Sequence, residues 1–140
     1  MAGEIDVAAW LLTACGIAVI GIGTFFVLFR PPLLPEDRRY IAAPGAALDA
    51  VGAGLSRWLA KVFWVMGGYM IATGILVVHL ARADFHAAST VAVVVAAVAG
   101  VASVGTMAVV NLMLRSDFRW PLLGLATLWT ISIALAVLGV

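Results

Sequence analysis

Residues 7–29 read VAAWLLTACGIAVIGIGTFFVLF, 23 consecutive positions without a charged side chain. The hydrocarbon core of a bilayer is about 30 Å thick, so a helix rising about 1.5 Å per residue needs roughly 20 apolar residues to cross it. This segment meets that length, and the prolines that follow Arg30 end it. The sequence therefore predicts a transmembrane helix close to the N-terminus.

Three further segments have the same character, at about residues 62–80, 87–114 and 121–140. The chain is 65% hydrophobic and 11% charged, whereas soluble domains are roughly 45–50% apolar and about 25% charged. We therefore expect an all-α, polytopic membrane protein. It would form a single membrane domain over residues 1–140, folded as a bundle of four transmembrane helices.

The basic residues indicate an orientation. Of the eight Lys and Arg residues, only Arg82 lies between spans two and three; the others lie between spans one and two or between spans three and four. Cytoplasmic loops carry the excess of basic residues, so both termini are predicted on the non-cytoplasmic side. Seven Arg against one Lys is typical of a GC-rich genome, which favours the inner membrane of a bacterium.

The long segment 30–61 is predicted to be cytoplasmic. Residues 30–40 are rich in proline and charge, and we expect no regular helix there. Residues 46–60 carry apolar side chains at three- and four-residue spacing, which predicts an amphipathic helix lying in the membrane interface. Its apolar face consists of Leu48, Val51, Leu55, Trp58 and Leu59.

Small residues recur on the predicted spans. Because lipid is as apolar as leucine, helices in membranes associate through close packing and hydrogen bonds. The candidate packing positions are Gly67, Gly68, Gly74, Ala92, Ala96 and Gly100. They suit contacts within the chain, self-association or a partner subunit equally well.

The central parts of the spans contain no Asp, Glu, Lys or Arg. Ionisable groups at the midplane usually mark proton or ion pathways, so their absence argues against a pump or a proton-coupled transporter. One cysteine, Cys15, excludes an internal disulfide. No catalytic constellation is evident, so we expect neither an enzyme nor a cofactor. The chain has no basic run of the kind that binds nucleic acid.

Two polar groups of side chains are candidate sites. His79, Asp84 and His86 surround the turn between spans two and three, where they could ligate a metal or haem; ordinary interfacial histidines explain them as well. A polar corner at the end of span three contains Asn111, Arg115, Asp117 and Arg119. It suits hydrogen bonding and helix capping, or contact with a lipid headgroup or a partner.

The order of these features resembles the small bacterial DoxX-like four-helix membrane proteins. The shared features are a glycine-bearing first span ending at proline, a re-entry segment, the Gly67-Gly68 pair in span two, and two closely spaced spans. The resemblance implies a small four-helix bundle that is accessory to larger redox or export systems.

Three functions follow as hypotheses. The first is a non-catalytic accessory or scaffold subunit of a larger membrane complex, with the bilayer and other membrane subunits as partners. The second is a lipid- or small-lipophile-binding carrier whose cavity is lined by Trp129, Tyr69 and Asn111. The third is a haem or metal redox protein built on His79 and His86.

Overall fold

The computed structural model describes residues 2–31, 33–41, 45–85 and 89–139, which form helices and no strands. In chain order the elements are α1 (Ala2–Leu28), α2 (Pro35–Ile41), α3 (Gly45–Ala83), α4 (Thr90–Gly100), a π-helical segment (Val101–Gly105), α5 (Thr106–Met113) and α6 (Arg119–Gly139). Four stretches are long and apolar enough to cross a membrane, namely Ile5–Leu28, Gly52–Ala83, Thr90–Met113 and Arg119–Gly139. The prediction of an all-α chain with four such helices is confirmed.

Helices α1 and α3 pack against each other through two pairs of glycines. A Cβ built on Gly67 would lie 2.6 Å from the carbonyl oxygen of Gly23, and one built on Gly74 would lie 2.6 Å from that of Gly16. The two glycines of each helix are seven residues apart, which keeps them on one face. The backbones therefore meet at two points along an antiparallel pair.

Helix α6 packs on the other side of α1. The Ser132 hydroxyl donates a 2.7 Å hydrogen bond to the Ala8 carbonyl, and both residues are fully buried. Nearer the end of α6, a Cβ on Gly139 would lie 2.7 Å from Ile5 Cγ1. Helix α1 thus lies between α3 and α6.

The third long apolar stretch, Thr90–Met113, consists of α4, the π-helical segment and α5 and is called here the third span. It packs on α6, and α3 contacts α4 only slightly. The Trp129 indole on α6 is 3% exposed and donates a 3.0 Å hydrogen bond to the Ala96 carbonyl. A Cβ on Gly100 would collide with the same indole. Because α3 and the third span hardly meet, a gap remains between them.

The third span is not one continuous α-helix. Residues Val101–Gly105 form a π-helical segment between α4 and α5. The Thr106 hydroxyl donates to the Val101 carbonyl at 3.1 Å, across five residues. A four-residue repeat of buried positions continues through the segment: Ala92, Ala96, Gly100, Val104 and Ala108.

The prediction that residues 30–40 form no regular helix is wrong for Pro35–Ile41, which is α2. Pro35 occupies the first helical position, where its missing N–H costs nothing. The Asp37 carboxylate accepts a 2.9 Å hydrogen bond from the N–H of Leu34, just before the helix. Proline and a local cap therefore start a helix here.

Residues 46–60 are helical and continue into the second span, since α3 begins at Gly45 and ends at Ala83. Trp58 is 62% exposed, while Leu55 and Leu59 are partly buried. The side chains of Leu48 and Val51 lie outside the described residues. Placement of this segment in a membrane interface stays a prediction.

Candidate functional site

The gap between α3 and the third span is a cavity of about 980 Å³, lined by residues of α1, α2, α3, the π-helical segment, α5 and α6; it is called here the lateral cavity. Sites for small molecules usually measure about 300–1,000 Å³. Met66 on α3 and Val110 on α5 both line it and are both 44% exposed. The cavity therefore opens sideways, between α3 and α5.

The walls of the lateral cavity are mainly apolar, and aromatic and thioether groups lie among the aliphatic side chains. The aromatic and thioether side chains are Phe25, Phe26, Phe63, Phe118, Met66, Met70 and Met107. The rings also contact one another: Phe26 and Phe63 meet edge-to-face with centroids 5.9 Å apart. Methionine adapts to irregular apolar ligands. The walls suit a flexible apolar molecule.

An ion pair lies at one end of the cavity wall. Arg30 Nη2 is 3.4 Å from Asp37 Oδ2, with side-chain exposures of 10% and 21%. The Arg30 guanidinium also lies 3.5 Å from the centre of the Phe63 ring and 5.1 Å from that of Phe26. The cation–π contacts hold the Arg30 guanidinium in place. The hydrogen bond from the N–H of Leu34 holds the Asp37 carboxylate, which caps α2.

The four residues of the predicted polar corner do not form one site in the structure. Asn111 is partly buried and lines the lateral cavity, and its Nδ2 donates to the Met107 carbonyl at 2.9 Å. Arg115 and Asp117 are exposed. The Arg119 guanidinium lies 5.5 Å from the centre of the Trp120 ring. Only Asn111 of the four lines the cavity.

The turn after α5 has a strained residue. Arg115 has φ of 50°, and the N–H of Ser116 donates to the Asn111 carbonyl at 3.0 Å while the N–H of Arg115 donates to the Leu112 carbonyl at 3.1 Å. This is the Schellman pattern, in which glycine usually takes the left-handed position. Ser116 is buried, and its hydroxyl accepts from the N–H of Phe118.

The three residues predicted to line a lipophile cavity are not brought together. Asn111 lines the lateral cavity, whereas Tyr69 is 73% exposed and does not line it. Trp129 lines a separate cavity of about 200 Å³ on the other side of the π-helical segment. Trp129 is thus mainly a packing residue between α6 and α4.

Of the small residues predicted to pack between helices, all but Gly68 are buried. Gly67 and Gly74 contact α1, while the Ala92–Gly100 repeat is buried. Gly68 is exposed, and among the described residues no atom lies within 4 Å of a Cβ built on it. Adjacent helical residues differ in direction by about 100°, so Gly68 faces away when Gly67 faces α1.

His79 and Asp84 are exposed, and His86 lies outside the described residues. Within residues 2–31, 33–41, 45–85 and 89–139, no three His, Cys, Asp or Glu side chains are grouped so that they could hold a metal ion. Metal or haem binding by the His79–His86 pair stays a prediction.

Arg30 and Asp37 did not stand out in the sequence, because a basic residue after a span looks like an ordinary orientation signal. The useful signal was local: Arg30 follows the Phe25-Phe26 pair, and Asp37 lies two residues after Pro35, where a first-turn carboxylate can cap a helix. Their meeting at the cavity depends on α2, a helix that the three prolines of residues 30–40 argued against.

In comparisons with known proteins, no family model, no curated protein and no solved structure matches this chain. The DoxX-like resemblance stays a prediction.

Proposed function

We propose that this chain is a non-catalytic, multi-pass membrane protein that binds a lipid or small lipophile in its lateral cavity. The observation that carries the proposal is the cavity itself: about 980 Å³, walled mainly by apolar side chains, with Phe and Met among them, and open between α3 and α5. In a membrane this opening faces lipid, so an apolar ligand enters without passing through water.

The spacing of basic and aromatic residues supports a position across a bilayer. On α3, Lys61 lies 3.9 Å from the Trp64 ring centre, and at the other end Arg82 lies 4.3 Å from that of Trp10. Lys61 and Arg82 are 21 residues apart, or about 31 Å along a helix, which matches the hydrocarbon thickness. Tryptophan and basic residues favour the two interfaces.

The outward faces of the helices suit contact with lipid tails. On the third span Val91, Val98 and Val101 are 70%, 63% and 74% exposed. Water would make such a face costly, at about 25 cal/mol per Å² of exposed apolar surface. A bilayer removes that cost, and the four helices then form a membrane bundle.

We place the Arg30 end of the molecule in the cytoplasm and both termini on the opposite side of a cell membrane, which the Arg-rich usage suggests is bacterial. A C-terminal reporter that is active only in the cytoplasm should stay dark. Fluorescence from that fusion would refute the orientation while leaving the ligand proposal intact.

The decisive experiment fills the lateral cavity with larger side chains and asks whether the ligand is lost. Gly21 and Gly124 line it, and a Cβ on either would meet no described atom within 4 Å. The variants Gly21→Leu and Gly124→Leu should therefore fold and exclude the ligand. Gly68→Leu, on the outer face of α3, is the matched control.

The measurement is native mass spectrometry with quantitative lipid extraction after purification in mild detergent. The wild type and Gly68→Leu should retain a stoichiometric lipid or lipophile, and the two cavity variants should lose most of it. If the wild type retains none, or if the filled variants retain as much, ligand binding in the cavity is excluded.

A partner's transmembrane helix is the alternative occupant of the same opening, and it corresponds to the accessory-subunit hypothesis. A photo-crosslinking amino acid at Met66 or Val110 discriminates between the two, since both side chains are at the rim. Lipid adducts support the carrier. A single protein adduct at native abundance supports an accessory subunit, whereas a visible haem spectrum would be needed for the redox hypothesis.

A further inference from the structure

The lateral cavity has different chemistry at its two ends. Its charged side chains, Arg30 and Asp37, and the amide of Asn111 lie toward the end where α1 and α5 finish. Deeper along the third span, the hydroxyls of Ser103 and Thr106 donate to carbonyls of their own helix, at 2.5 and 3.1 Å. The deep end is therefore effectively apolar, and the ligand that fits is an amphiphile with its head at the Arg30 end.

The depth suits a lipid tail. The cavity follows α1 from Arg30 back to Ala18, which is 12 residues, or about 18 Å of helix. Apolar side chains line this length, aliphatic ones as well as Phe and Met. An acyl chain can lie along it while the head stays beside the ion pair.

The polar head of the ligand meets two opposite charges at this end of the cavity, the Arg30 guanidinium and the Asp37 carboxylate. Arg30 Nη2 and Asp37 Oδ2 are 3.4 Å apart, longer than the usual charge-assisted hydrogen bond of about 2.7–2.9 Å. Arg30 Nη1 also donates to the Pro31 carbonyl at 3.1 Å. Because a guanidinium has five N–H donors, a phosphate can join these partners while Arg30 stays near Asp37. The carboxylate offers acceptor positions for an ammonium group.

We infer that the ligand is a zwitterionic glycerophospholipid with a primary ammonium head, of the phosphatidylethanolamine class, whose phosphate binds Arg30 and whose ammonium binds Asp37. An anionic phosphatidylglycerol head would repel Asp37. A phosphatidylcholine head carries no N–H to donate to it. This inference rests on the proposed function, because it names the ligand of the same cavity.

The test is competition in nanodiscs that contain equal amounts of phosphatidylethanolamine, phosphatidylglycerol and phosphatidylcholine, with retained lipid counted by mass spectrometry. The wild type should retain phosphatidylethanolamine preferentially. Asp37→Asn can still accept from the N–H of Leu34, so α2 stays capped, but the preference over phosphatidylglycerol should fall about tenfold, the value of one lost charge-assisted contact.

Arg30→Gln should reduce retention of all three phospholipids, and Arg30→Lys should restore part of it by restoring the charge. The matched controls are Arg38→Gln and Arg39→Gln, which remove the same charge from exposed positions on α2. They should leave both retention and preference unchanged. Excess soluble glycerophosphoethanolamine should not displace the lipid, because the head alone lacks the tail contacts.

The outcomes separate the two proposals. Retained lipid whose head preference is the same in the wild type, Asp37→Asn and Arg30→Gln would overturn the head assignment but leave the carrier function standing. Displacement by soluble glycerophosphoethanolamine would also overturn it, in favour of a site for the free head. No retained lipid of any class in the wild type would overturn the carrier function itself.

Discussion

Ser132 on α6 donates its hydroxyl proton to the carbonyl of Ala8 on α1, at 2.7 Å and without exposure to solvent. The two residues are 124 positions apart, so this bond joins the last helix of the chain to the first. Hydrogen bonds between helices in membranes average about 0.6 kcal/mol and reach about 1.7 kcal/mol.

Replacing Ser132 by alanine should therefore lower the free energy of unfolding by about 1 kcal/mol. Thr130→Ala is the control on the same helix, because the Thr130 hydroxyl is exposed and donates only to Ala126. SDS titration in mixed micelles measures both. Equal losses in the two variants would show that the α6–α1 bond adds nothing.

Gly67→Ala should separate α1 from α3. The new methyl would lie 2.6 Å from the Gly23 carbonyl oxygen and 2.7 Å from Val27 Cγ2, and the carbonyl cannot move without moving the helix. Overpacking of this kind costs about 1–3 kcal/mol.

The neighbouring Gly68→Ala provides the control, since a Cβ there meets no described atom within 4 Å. It should be neutral or stabilising, because alanine favours helix over glycine by about 1 kcal/mol. The same titration compares them. A Gly67→Ala variant as stable as Gly68→Ala would contradict the close approach of the two helices.

Trp129→Phe should weaken the contact between α6 and α4 while keeping most of the ring. The substitution removes the indole N–H that donates to Ala96 at 3.0 Å, at a cost of about 1 kcal/mol. Trp120→Phe, at a position 66% exposed, is the matched control and should be nearly neutral. Thermal unfolding followed by circular dichroism would test this; a larger effect at Trp120 would count against it.

Arg115→Gly should stabilise the turn between α5 and α6. Arg115 has φ of 50°, a conformation that costs a side-chain-bearing residue about 1–2 kcal/mol and glycine almost nothing. Arg115→Ala removes the same charge but keeps the strain, so the difference between the two variants isolates the backbone term. A melting temperature that is the same for both would refute the strain.

The sequence was sufficient for the number and position of the long helices, because apolar length is a property of each segment alone. It was not sufficient for α2, where three prolines argue for a loop and only Pro35 at a helix start permits the observed helix. Gly67 and Gly68 look equivalent in sequence; which one contacts α1 depends on how the whole helix is rotated.

The lateral cavity was beyond sequence reasoning for a related reason. It exists because α3 packs on α1 and hardly contacts the third span, which is a relation between helices distant in the chain. Asn111 was identified from its polarity inside a span. Arg30 was not, because its role depends on Asp37 and on the rings of Phe26 and Phe63.

The π-helical segment determines which side of the third span meets α6. A four-residue repeat drifts by about 40° per step round an ideal α-helix, so Ala92 and Ala108 would point almost opposite ways. Both are buried, since the wider turn at Val101–Gly105 offsets part of the drift. Deleting one residue from this segment would rotate α5 about its axis, so that Asn111 would no longer face the lateral cavity. A one-residue deletion in a surface turn would only shorten a connection.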